Sequence, residues 1–281
     1  MKYTPAGGDV VMRNLPVFEA EKFMPAQLDH RVWLSVMNIP KEGNSESQWA
    51  EWSTWMAERF ATSTVPDAAI REKCAELLQG AKTDDEKLRR LYDFCQTEII
   101  NFRWDESAEA LAAKQAPLKD TQQWQRRGYG RPLSSAHDVL EARVGGPNEN
   151  TLLFAALARA AGYRTQLWLY APKDRLTNIQ RPYGYNNLGL RTVGVDVGGV
   201  WRCFSPGDYL VPFGMNDQRC EGASAFRCDT KKGEFVRLPV GLAESTQVQR
   251  KGRFTLAADG TLQGEVEETY TGHQAIERKD R

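Results

Sequence analysis

The chain has 281 residues, 41% of them apolar and 26% charged, enough for one large domain or two modest ones with a real core. Lys+Arg and Asp+Glu both number 37, so no net charge draws the chain toward nucleic acid or an anionic membrane. No apolar run approaches the ~20 residues that span a bilayer, and Met1 to Gly8 lacks the charged-then-apolar order of a signal peptide.

Residues 1–40 read as extended structure. Val10-Val11-Met12 and Arg31 to Val36 have strand composition, separated by a Pro-punctuated stretch from Asn14 to Pro25. Helices follow. Ser45 can cap one with an apolar stripe of Trp49, Trp52, Met56 and Phe60, in which the tryptophans read as core. Pro66 suits the first turn of a second helix through Ile70, Cys74, Leu77 and Leu78, ending near Gly80. Thr83-Asp84-Asp85-Glu86 is a capping box opening a third, with Leu88, Leu91, Tyr92, Cys95 and Ile99 on one face. Residues 103–132 are harder to read: Ala108 to Ala116 has helical composition, and Gln122 to Gly130 reads as a loop. A small cluster of Arg126, Arg127 and Arg131 is most simply solvated.

From Ser134 the pattern sharpens. Ser134 to Arg143 reads as a short helix, Gly145-Gly146 as a turn, and Asn148 to Ala161 as an apolar helix ended by Gly162. Tyr163 to Tyr170 is a buried strand, and Leu190 to Val197 with Val200 to Phe204 a hairpin around Gly198-Gly199. Beyond Pro239, Arg253 to Leu256 and Leu262 to Tyr270 alternate about Asp259-Gly260, then give way to a polar tail, Arg278 to Arg281.

Cys74 and Cys95 fall in helical stretches and read as small buried hydrophobes. Cys220 and Cys228 are spaced to close a short loop in an oxidising compartment. With no C-x-x-C and with His30, His137 and His273 far apart, no zinc site is expected.

One stretch carries a family resemblance. Arg143-Val144-Gly145-Gly146-Pro147-Asn148-Glu149-Asn150, running into the Leu/Ala-rich segment to Gly162-Tyr163, resembles the nucleophile helix of bacterial transglutaminase-like proteins, where an Arg-x-Gly-Asp-Cys-x-Asp turn leads into such a helix. Upstream, Pro132-Leu133-Ser134-Ser135-Ala136-His137-Asp138-Val139-Leu140 resembles that family's Pro-x-Ser-Ala-x-x-Val-Leu helix. Downstream, Tyr185-Asn186-Asn187 stands where the family has Phe-Asn-His, and Phe204-Ser205-Pro206-Gly207 where it has Asp-Pro.

The resemblance implies an α+β fold: a papain-like core with helices packed on an antiparallel sheet, over residues 41–240. Residues 1–40 would end a leading β-domain and residues 241–281 would begin a trailing one. Leu15 to Pro25 and Ala258 to Gly264 resemble those flanks. A larger parent protein, periplasmic or otherwise exported, is the corresponding expectation.

In such a site a thiolate forms at a helix N-terminus, a His takes its proton and an Asp orients the ring. Here Pro147 stands at the nucleophile position, Asn187 at the base and Ser205 at the acid. Proline has no nucleophile, and an asparagine does not exchange protons near neutral pH. Proline does suit the first position of a helix, and Glu149 adds a favourable charge in the first turn. The expectation is therefore a non-catalytic domain that binds a protein or peptide, with Asn148, Glu149, Tyr185 and Asn186 as candidate contacts and no cofactor. The alternatives are an enzyme with a relocated nucleophile (Cys203, with His137) and a spacer between β-domains.

Overall fold

The structure is a computed structural model, and it describes residues 13–15, 17–19, 21, 24, 26–32, 45–105, 107, 135–175, 179–180, 185, 188–208 and 210–279. The strands expected at Val10–Met12 and from Trp33 onward lie outside the described residues, as do the stretch 108–132 and both Asn186 and Asn187. Early in the chain the described residues hold one short helix, α1 (Gln27–His30).

Three helices with clear start signals come next. α2 (Ser45–Ser63) buries Trp49, Met56 and Phe60 along one stripe, as the spacing predicts. α3 (Ala68–Leu77) starts two residues later than the proline suggests. Asp67 is the cap, its Oδ1 accepting the Ile70 N–H at 2.9 Å, so Pro66 lies just outside the helix. α4 (Asp84–Thr97) carries the expected capping box of Thr83 and Glu86 and buries Leu88, Leu91, Tyr92, Phe94 and Cys95.

Gly145-Gly146 is not a simple turn. Strand β1 (Ile100–Asn101) pairs in parallel with β2 (Val144–Gly145), placing Ile100 opposite Val144 and Asn101 opposite Gly145. Between them comes α5 (Ala136–Ala142), capped by Ser135 and closed by Arg143 in the left-handed region at φ 54°. Gly146 caps the next helix, and a β-carbon there would stand 2.7 Å from Glu149 Oε2 and 2.8 Å from the Phe102 ring, so a larger residue would have to displace both side chains.

That next helix, α6 (Pro147–Ala160), is the centre of the molecule. Every residue from Asn150 to Ala158 is buried, so it is enclosed on all sides. α3, α4 and α5 pack around it, and strands β3 (Arg164–Tyr170) and β4 (Leu190–Val197) close the remaining side. The five-stranded sheet runs β5-β4-β3-β6-β7 and is antiparallel throughout, with β5 (Val200–Phe204), β6 (Ser224–Arg227) and β7 (Glu234–Arg237). Alternation divides its side chains. Leu167, Leu169, Val193, Val195, Phe204 and Phe226 join the helices in the main core. Trp168, Tyr170, Cys203 and Ala225 face the other way, into a smaller core with Cys220, Ala223 and Leu238. The architecture is thus α+β, helices on an antiparallel sheet. Neither β6 nor β7 was expected from the sequence.

All five cysteines are free and buried. Cys228 belongs to the helix-side core and Cys220 to the opposite one, so the sheet separates the two thiols that the spacing would join. The C-terminal hairpin pairs β8 (Val248–Leu256) with β9 (Leu262–Tyr270), and its first strand begins five residues before the expected Arg253. A helix follows it: α7 (Gly272–Lys279), which takes in the first two residues of the polar tail, is anchored by the His273 N–H donating to Thr246 Oγ1 and by a His273–Glu221 contact of 3.1 Å.

Candidate functional site

The start of α6 is built by backbone geometry rather than by a side-chain cap. Gly146 offers no capping group, and Pro147 at the first helical position has no N–H, so the amides of the first turn are left for an outside acceptor. Asn148 and Glu149 follow, both half-buried, and the Thr151 hydroxyl donates back to the Pro147 carbonyl at 2.8 Å.

The loop after β5, Ser205-Pro206-Gly207-Asp208, lies against this helix start. A β-carbon on Gly207 would fall 1.9 Å from the Pro147 carbonyl oxygen, so the two backbones touch. Three side chains hold the loop. The Tyr92 hydroxyl sits 2.9 Å from the Val211 carbonyl and 3.2 Å from that of Ser205. Gln96 Nε2 donates to the Asp208 and Val211 carbonyls, and Asn101 Nδ2 to the Gly207 carbonyl at 2.9 Å. The structure therefore brings Pro147 and the segment that follows Ser205 together. Ser205 itself is 1% exposed, and its hydroxyl has no hydrogen-bond partner among the described residues.

Tyr185 is set apart in an aromatic cluster. Its ring stacks on Trp52 at 5.1 Å and meets Trp49 edge-on at 5.4 Å, while Trp49 packs on Phe226 and Phe235. Asn186 and Asn187 lie outside the described residues, so the base position has no geometry to report.

Sequence reasoning missed Arg191. It stands on β4 in phase with Val193 and Val195, which turns it toward α6. Its Nε and Nη1 are shut off from solvent and find no hydrogen-bond partner among the described residues. Burial pulls its pKa down to about 10, with the nearby Glu149 carboxylate opposing that shift and Arg59 adding to it. An arginine in phase with buried valines was the available signal, and the alternation of the strand carries it. Arg59 lines an open hollow of about 460 Å³ beside the second half of α2, with Trp55, Glu58, Thr62, Ser63 and Ser135.

The candidates for a relocated nucleophile fare poorly. Burial pushes the thiols of Cys74, Cys95, Cys203 and Cys228 upward, and that of Cys220 up to about 12, with Asp208 and Asp217 contributing. None of these is a thiolate near neutral pH. His137 lies between two carboxylates, Asp67 at 2.6 Å from Nδ1 and Glu141 at 3.1 Å from Nε2, although Nδ1 finds no hydrogen-bond geometry among the described residues. Asp208 is the most displaced acid: burial and Asp217 raise it to about 7, and Arg219 offsets part of this. Among the described residues no group of three or more His, Cys, Asp or Glu is placed to hold a metal ion, and no helix is long and apolar enough to cross a membrane.

No protein-family model and no curated protein matches the chain. Two solved structures are similar in fold. One is a proposed protease from Parabacteroides distasonis, at 12% identity and a TM-score of 0.46, matched over 77% of this chain and 38% of that one. The other is a proposed cysteine protease from Cytophaga hutchinsonii, at 12% identity and a TM-score of 0.36, over 82% of this chain and 57% of that one. The chain thus spans less than two thirds of either.

Proposed function

We propose that this chain is a transglutaminase-like domain that has lost its family's chemistry and acts as a binding or scaffolding module for a protein or peptide. The observation that carries the reading is the start of α6. The residue at the head of the buried central helix is Pro147, and the segment against it is the Ser205 loop, whose Gly207 backbone touches Pro147. At these two positions the Pro147 side chain offers no thiol to act as nucleophile, and the Ser205 hydroxyl carries no negative charge to stabilise an imidazolium. The five raised thiols speak against a nucleophile elsewhere.

A spacer role has one observation in its favour, the Gly207 backbone resting on Pro147. The orphaned polar atoms of Arg191 and Ser205 favour binding instead, because buried polar groups are ordinarily paired. An exported parent protein with flanking β-domains completes the proposal, and the β8–β9 hairpin would open the trailing one.

The test is an activity screen of the purified chain. Thiol-dependent peptide hydrolysis and amine incorporation into glutamine-bearing protein should both be absent, with iodoacetamide making no difference. Iodoacetamide-sensitive turnover would falsify the non-catalytic reading.

A further inference from the structure

We propose that the apolar face of the β8–β9 hairpin is an interface with a second copy of this chain, the two hairpins packing face to face as a β-sandwich. The inference goes beyond the binding-module reading and does not depend on it.

The register divides the hairpin's side chains completely. Val248, Phe254 and Leu256 on β8 share one face with Leu262, Val266 and Tyr270 on β9, and that face holds every apolar side chain of the two strands. On the other face Lys251 stands opposite Glu267 and Arg253 opposite Glu265, an arrangement that suits water. The apolar face is nevertheless exposed: Val248, Phe254, Leu256, Leu262 and Val266 keep between 40% and 70% of their surface. Among the described residues no third strand joins the pair. A two-stranded hairpin is marginal in water by itself, and an apolar face of this length calls for a second layer.

Three features fit an identical hairpin as that layer. The face is flat in the middle, because the Phe254 ring lies over Gly252 and Gly264, and a β-carbon on either would strike it. Flat apolar sheet faces pack on one another about 10 Å apart. The two charges on the face, Arg250 and Glu268, are opposite in sign and paired with each other at 2.6 Å. The face is therefore neutral, and two copies meet without net repulsion. The exposed side chains amount to roughly 500 Å² of apolar surface per copy, so two stacked faces bury about the 1,000 Å² at which specific interfaces begin. A two-fold axis makes such a contact self-complementary and closes the assembly at a dimer.

Sedimentation velocity on the whole chain, between about 1 and about 100 μM, tests this. A monomer–dimer equilibrium is expected within that range. Phe254→Asp should raise the dimer dissociation constant about tenfold or more. Arg250→Glu, which gives the face a net charge, should weaken the dimer likewise. Thr255→Asp, the next residue along but on the polar face, should change it less than about twofold. The hairpin lies outside both core clusters, so all three variants should keep the parent's thermal unfolding of the core. A chain that is monomeric throughout overturns the inference, as does a dimer that either Phe254→Asp or Arg250→Glu leaves intact. Equal loss by Thr255→Asp overturns it too. In the monomeric case, binding of a fluorescent apolar dye that Phe254→Asp abolishes would show the face open to a partner of another kind.

Discussion

Gly207 and Pro147 are in backbone contact, with no space between them for so much as a methyl group: a β-carbon on Gly207 would lie 2.5 Å from the Pro147 α-carbon. Neither partner can yield, since one is the head of the buried helix and the other is held by Asn101. Gly207→Ala should therefore destabilise the fold by about 3 kcal/mol, the upper part of the overpacking range. Urea unfolding would measure it, and a change below about 0.5 kcal/mol would mean that the contact is looser than described.

The thiols give a second expectation. With Cys74, Cys95, Cys203, Cys220 and Cys228 all buried, the folded chain should react negligibly with Ellman's reagent and titrate five thiols only once unfolded. Pro147→Cys should add one reactive thiol in the folded state, favoured by the helix N-terminus, yet confer no peptide hydrolysis. Turnover by that variant would imply that a working base survives at the site.

Asp208 predicts a pH dependence. Its folded pKa of about 7 lies above the ordinary aspartate value near 4, so between those limits the folded state holds the proton more tightly than the unfolded one. The stabilising contribution is complete below about pH 4 and is lost as pH rises through about 7. Asp208→Asn should remove that downward slope and raise stability at pH 8 relative to the parent, as read from melting temperature against pH. Parallel curves for the two proteins would show that Asp208 titrates normally.

Arg191 should be a site at which the folded state bears a desolvation cost. Replacing a largely buried cation, two of whose nitrogens have no partner among the described residues, by an apolar side chain of similar length removes a desolvation cost. Arg191→Met is expected to raise unfolding free energy by about 1 kcal/mol or more by chemical denaturation. A loss of similar size would indicate that the guanidinium has a structural partner.

Much of this fold could be read directly from the sequence, and the exceptions have physical reasons. The Thr83–Glu86 capping box, the Gly198-Gly199 turn and the apolar run behind Pro147 are local signals, and each is where the spacing puts it. Ser224–Arg227 and Glu234–Arg237 went unseen because four residues are too few for alternation to stand out. The pairing of Val144–Gly145 with Ile100–Asn101 is non-local, and no pattern within either segment reports it. At the site, the sequence named the helix head and the Ser205 loop but not Arg191, whose importance depends on what lies across from the strand.

The position of β3 in the middle of the sheet bears on how the chain folds. Its partner on one side, β4, follows closely and forms a hairpin with β5, but its partner on the other side joins Trp168 to Arg227, far apart in the chain. The helices and the β4–β5 hairpin can assemble from near neighbours, whereas β6 must be captured after a long loop has closed. Refolding should accordingly run through a species in which one edge of β3 is still bare, and that edge is the place where a second unfolded chain would add itself.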